Sequence, residues 1–171
     1  MELYGSFENK PSIFNFQWMG CAVSDFELDA QLAKDCVVVG DFPVCRLLLM
    51  NDSHYPWLIL VPRIKGAEEI YQLDETTQQQ LLFESSFLAE ILQVLFSAEK
   101  MNVAALGNVV RQLHIHHVVR YSHDAAWPAP VWGKQPAQPY SAEELSEIMK
   151  KLECGIAEMP SFQWAHSDEM R

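Results

Sequence analysis

Apolar and polar positions along this chain fall into short aliphatic runs, one long helical stretch, further runs and a final helical stripe. Residues 36–39 (Cys-Val-Val-Val) and 45–50 (Cys-Arg-Leu-Leu-Leu-Met) predict two strands, with a turn at Gly40-Asp41-Phe42-Pro43 between them. Residues 57–61 predict a third, buried strand bounded by Pro56 and Pro62. Asp74 is a helix N-cap, and the helix it opens runs to about Lys100. Its Leu81, Leu82, Phe87, Leu88, Ile91, Leu92 and Leu95 form a broad apolar face. Residues 101–103 and 109–121 predict the last strands. Ser141 followed by Glu144 is a capping-box pattern, after which Leu145, Ile148, Met149, Leu152, Ile156 and Met159 share one helical stripe. The stretch 124–140 holds Pro128, Pro130, Pro136 and Pro139 and reads as ordered but irregular. Residues 1–24 are aromatic-rich without a clear period and read as an N-terminal extension to one domain over 25–171.

Composition narrows the class. A chain of 171 residues with 49% hydrophobic and 20% charged positions is ordinary globular material, long enough to bury a core without staples. A net charge of -11 argues against a general nucleic-acid surface and against anionic membranes, while leaving room for a bound nucleotide. The four cysteines, Cys21, Cys36, Cys45 and Cys154, make no CxxC pair, which suits reduced thiols in a cytoplasmic protein. There is no signal-like start and no membrane-length apolar run.

The chemistry concentrates at Gln112-Leu113-His114-Ile115-His116-His117-Val118-Val119-Arg120. In a strand, alternation sets Gln112, His114 and His116 on one face and Leu113, Ile115, His117 and Val119 on the other. A polar array on a rigid sheet suits catalytic imidazoles or metal ligands. His117, facing the core, reads as structural and tied to a backbone partner. His114-x-His116 also has metal-ligand spacing, so a zinc hydrolase is an alternative. A third ligand at diagnostic spacing is missing, because Val118 and Val119 stand where Asp and His would be needed.

The segment from Gly107-Asn108 through His116 resembles the signature of the histidine triad (HIT) family. That motif alternates histidines with apolar residues after a glycine and an amide or hydroxyl residue. Residues 48–52 and 58–62 resemble the family's two earlier strands, and the order strand, strand, long helix, histidine strand agrees over roughly residues 25–133. The tail through Trp127-Pro128 to Trp132-Gly133, and Gln112 in place of the first histidine, resemble a bacterial subgroup.

The resemblance implies an α+β, HIT-like fold: an antiparallel sheet of about five strands, one long helix and a C-terminal helix. It implies a homodimer joined edge to edge, with a purine nucleotide as substrate and no cofactor or metal. His114 matches the nucleophile that attacks an α-phosphorus and forms a nucleotidyl-histidine. His116 matches the histidine that orients it and binds phosphate oxygens. Gln112 holds the first triad position with a hydrogen-bonding amide. Asn108 matches a phosphate contact, Asn102 a polar phosphate-side residue, and Asn51 or Asp52 a ribose contact; as turn residues, these last two equally suit a strand end. Trp57 stands where hydrolytic members often carry a fourth histidine, and packing is its expected role, as it is for Trp127 and Trp132 unless they serve a dimer contact. The implied activity is that of a nucleoside phosphoramidase or dinucleoside polyphosphate hydrolase. A nucleotidyl transferase or a catalytically silent nucleotide-binding module are the alternatives raised by Gln112.

Overall fold

The computed structural model describes residues 26–157, 159 and 161–166. The extension over 1–24 therefore lies outside the described residues. A short helix α1 (Ala30–Asp35) leads into β1 (Cys36–Asp41), β2 (Cys45–Met50) and β3 (Trp57–Pro62). A 3-10 turn at Ile70–Gln72 precedes α2 (Glu75–Phe96), followed by β4 (Lys100–Ala104), β5 (Ile115–Arg120), α3 (Ala142–Ile156) and β6 (Gln163–Trp164). The strands make one six-stranded sheet in the order β4-β5-β3-β2-β1-β6, and every pairing is antiparallel. The expected sheet of about five strands gains a sixth, the two-residue β6 on the outer side of β1.

Two apolar clusters lie on opposite faces of this sheet. On one, Leu47, Leu49, Leu58, Leu60 and Val119 meet Leu81, Leu88 and Leu92 of α2 and Ile148, Leu152 and Ile156 of α3. On the other, Leu48, Trp57, Ile59, Val61 and Val118 meet Leu32 of α1, Tyr55, Ala126 and Val131. The central strand β3 is buried at all six positions because it carries aliphatic or aromatic side chains toward both clusters. Glu84 of α2 is fully buried, and its carboxylate accepts the backbone N–H groups of Val44 and Cys45. Burial pushes that carboxyl up, and those donors together with Gln80 pull it back. The bond fixes the helix to the β1–β2 turn.

Local chemistry sets the ends of the helices. The Asp74 side chain accepts from Thr77 N, and Ser141 and Glu144 close the expected capping box. Helix α2 stops at Phe96 rather than near Lys100, because Ser97 turns left-handed at φ 50° and directs its N–H back to Gln93 and Val94. The expected strand over 109–121 is the largest revision. Only Ile115–Arg120 pairs as strand, and residues 105–114 form an irregular approach to it. Gly107 sits there at φ 69°, a left-handed conformation that breaks an extended run. Leu113 N then bonds Ala67 O, away from any strand partner.

Candidate active site

His116 lies opposite Ile59 in β3 and Ala104 in β4, so its ring shares a face with Trp57, Ile59 and Val118. His114 precedes β5 and still reaches that face, its ring centroid 4.8 Å from that of His116 and nearly perpendicular to it. His117 points the other way, where Ser85 of α2 lies 2.8 Å from its Nε2. The expected division of the three imidazoles thus appears, although no single strand runs through Gln112, His114 and His116.

Hydrogen bonds assign the protons. The Nδ1–H of His114 donates to the Gln112 carbonyl at 2.6 Å, since a carbonyl only accepts. The neutral ring then carries its lone pair on Nε2. The indole N–H of Trp57 donates to His116 Nδ1 at 3.0 Å, which puts the His116 proton on Nε2. Burial, with His114 and His117 as neighbouring imidazoles, pushes His116 down to about 3. The ring is a neutral donor at physiological pH. Trp132 closes the group, packing edge-on against both His116 (5.3 Å) and Trp57 (5.4 Å).

Gln112 is anchored differently from a residue reaching toward His114. Its side-chain carbonyl accepts Asp29 N at 2.9 Å and its amide donates to Glu27 O at 2.9 Å. The side chain clasps the segment that leads into α1, whose Phe26 and Leu28 pack on the site-face cluster. What Gln112 offers to His114 is its main-chain carbonyl, a group any residue at this position carries.

The remaining expected site residues are spread around this core. Asn102 of β4 shares the His116 face through its pairing with Val118, and its side-chain oxygen accepts from Arg120 Nη1. Asn108 is exposed in the irregular approach. Asn51 accepts Tyr140 N at 2.9 Å, and the buried Asp52 accepts Gln138 N and His54 N, both at 3.2 Å. Both side chains fasten the proline-rich loop to the end of β2.

One contributor escaped the sequence reading. Arg120, 1% exposed, makes a two-pronged pair with Asp124 at 2.8 and 3.0 Å and donates to Ala129 O at 2.9 Å. It holds the loop that delivers Trp132 to His116. Burial pushes Asp124 up, but the Arg120 bonds and the amides of Tyr121 and Ala126 hold it below the usual carboxylate range. The available signal was period two: Arg120 follows His116 and Val118 on the same face of one strand. Trp132, expected to pack, does so against His116 and Trp57. Among the described residues, no cluster of three His, Cys, Asp or Glu side chains stands at metal-binding spacing. No helix among them is long and apolar enough to cross a membrane.

Two imidazoles thus stand together on the face of the sheet opposite α2 and α3. The chain belongs to the HIT family, whose domain model matches residues 31–123. Among solved structures it is similar to a histidine triad protein from Marinobacter aquaeolei, at 52% identity, 78% coverage of this chain, 98% of that one and a TM-score of 0.77. A histidine triad protein from Bradyrhizobium japonicum is 41% identical over 77% and 98% of the two chains, with a TM-score of 0.75. Plasmodium falciparum diadenosine triphosphate hydrolase shares the fold at 20% identity, over 79% and 84% of the chains and with a TM-score of 0.51. Among curated proteins, none matches the chain.

Proposed function

We propose that this chain binds a purine nucleotide and cleaves it at the α-phosphate through a nucleotidyl-His114 intermediate, as a nucleoside phosphoramidase or dinucleoside polyphosphate hydrolase. The observation that carries the reading is the 2.6 Å bond from His114 Nδ1–H to the Gln112 carbonyl, which leaves Nε2 as the nucleophilic atom. That acceptor is main chain, so glutamine at position 112 leaves the orienting bond intact. In the first step the Nε2–P bond forms and the bond from phosphorus to the leaving group breaks. Water then attacks phosphorus, the N–P bond breaks, and a nucleoside monophosphate and the free imidazole are released. The Nε2–H of His116 donates to a phosphate oxygen as charge develops there. Asn108 and Asn102 line the phosphate side, and Asn51 and Asp52 the ribose side through the loop they anchor. No step calls for a cofactor or a metal ion.

Assembly belongs to the same proposal. The β4 edge of the sheet is unpaired among the described residues, and Val103, Leu106 and Val109 beside it are exposed. A second copy pairing there through a twofold axis covers both the open backbone and these side chains. Light scattering is expected to show a dimer at micromolar concentration, and a monomer would remove this part.

Adenosine phosphoramidate and diadenosine polyphosphates, followed by chromatography of released monophosphate, test the chemistry. Wild type is expected to turn over at least one, and His114→Ala none, with nucleotide binding retained. A label from α-phosphate should remain on denatured wild-type protein and be acid-labile. Binding without turnover across the panel overturns hydrolysis in favour of a binding module. Loss of activity with a chelator, restored by zinc, overturns it in favour of a metal enzyme.

A further inference from the structure

We propose that Trp57 is a positioning residue that locks His116 in its Nε2–H tautomer, so that the site presents a hydrogen-bond donor to the reacting phosphate whose orientation does not depend on any neighbouring proton. The role in turnover rests on the reading given above, whereas the lock itself does not.

An indole N–H is a donor only, with no accepting lone pair in the ring plane and no titration in water. When it points at an imidazole nitrogen, that nitrogen must be the unprotonated one. Here the nitrogen is His116 Nδ1, at 3.0 Å, and both rings are buried. The indole is not free to leave. Trp57 opens β3 opposite Val118, diagonal to His116, and Trp132 packs edge-on against both rings. The Arg120–Asp124 pair in turn holds the loop that carries Trp132.

The surroundings add no competing proton. Ile59 from β3 and Ala104 from β4 lie opposite His116, and Asn102 is the neutral polar group beyond Ala104. Arg120 and Asp124, farther along the same face, neutralise one another. The titratable neighbours that, with burial, disfavour a charged His116 are His114 beside it and His117 behind it. A histidine at position 57 would behave differently, because it could donate or accept and would titrate near neutrality. The pair would then exist in two arrangements, only one of which leaves an Nε2–H toward the phosphate.

The test is nitrogen-15 NMR of histidine-labelled full-length protein, paired with kinetics. In wild type, His116 is expected to show a pyridine-like Nδ1 and a pyrrole-like Nε2, with scalar coupling from the Trp57 indole to Nδ1, unchanged from pH 8 to pH 5. Trp57→Phe should shift the ratio of the two His116 tautomers about tenfold toward Nδ1–H, the shift expected from losing one buried hydrogen bond. It should lower kcat by the factor by which the Nε2–H fraction falls, with KM little altered. Trp57→His should restore part of kcat while adding a new ionisation to its pH profile. A pyrrole-like Nδ1 in wild type overturns the lock outright, whether or not any variant folds. An unchanged His116 pattern in folded Trp57→Phe overturns it too. If wild type shows the expected tautomer but hydrolyses no nucleotide, the reading of the activity fails and the lock stands.

Discussion

His116 and His117 are neighbours in one strand, both buried, and burial pushes them down to about 3 and about 4. By depth and by titration they look alike. Their hydrogen bonds separate them. His117 donates from Nδ1 to Ile115 O at 3.2 Å and accepts the Ser85 hydroxyl at Nε2, so both nitrogens are satisfied within the core. His116 accepts at Nδ1 from Trp57, and among the described residues nothing accepts from its Nε2. A perturbed imidazole marks a place where water is excluded. A perturbed imidazole with one nitrogen not engaged by the described residues is the kind of group the proposed function calls on.

The surest way to break the comparison is to disturb what holds the His116 side together. Asp124→Ala leaves the Arg120 guanidinium buried without its counter-charge and should cost about 3–5 kcal/mol in denaturant unfolding. It should also free the loop bearing Trp132, read as increased quenching of tryptophan fluorescence. Next in size is a shared acid response. In the unfolded chain both rings take up protons below their ordinary value of 6.5, while in the folded one they stay neutral to about 3 and about 4. The unfolded state therefore binds more protons in that window, so stability is full above pH 6.5 and falls as pH drops to 4. Each ring should contribute roughly 3 kcal/mol to the fall. His117→Gln should flatten about half of that slope in urea titrations between pH 6.5 and pH 4.

Ser85→Ala sharpens the contrast. It removes the donor to His117 Nε2 and should lower stability by about 1–2 kcal/mol, with nucleotide turnover unchanged. The smallest effect is expected at Gln112, whose clasp on Glu27 and Asp29 is partly exposed. Gln112→Ala should cost about 1 kcal/mol and raise hydrogen exchange in residues 26–29, while the His114 ring keeps its main-chain acceptor.

Much of this was legible from local pattern. β1, β2, β3, both long helices and their caps follow from aliphatic runs, helical period and the Asp74 and Ser141 signals, all of which act over a few residues. Gly107, Asn108, His114 and His116 announce the family in a single stretch. What stayed hidden is what the fold brings together from afar. Trp57 meets His116 across 59 positions, and Gln112 reaches Glu27 across 85. Alternation placed Gln112 in line with the histidines, yet the chain does not pair as a strand until Ile115. Arg120 read as the end of a run, because its partner Asp124 falls in a loop with no periodic pattern.

The two borders of the sheet are not equivalent, and under the proposed pairing of copies that inequality decides how far the sheet could grow. Along β1 the register slips between Val38 and Gly40, and β6 with Ala165 occupies the outer backbone at Val39, Gly40 and Asp41. Gly40 allows this cover to sit close, since a Cβ there would lie 2.4 Å from Gln163 O. The β4 border has no such cover among the described residues. Growth through one border, about a twofold axis, ends at two copies. Growth through both would have no end, so in the proposed dimer the two residues of β6 and one missing methyl group would separate a closed pair from a fibre.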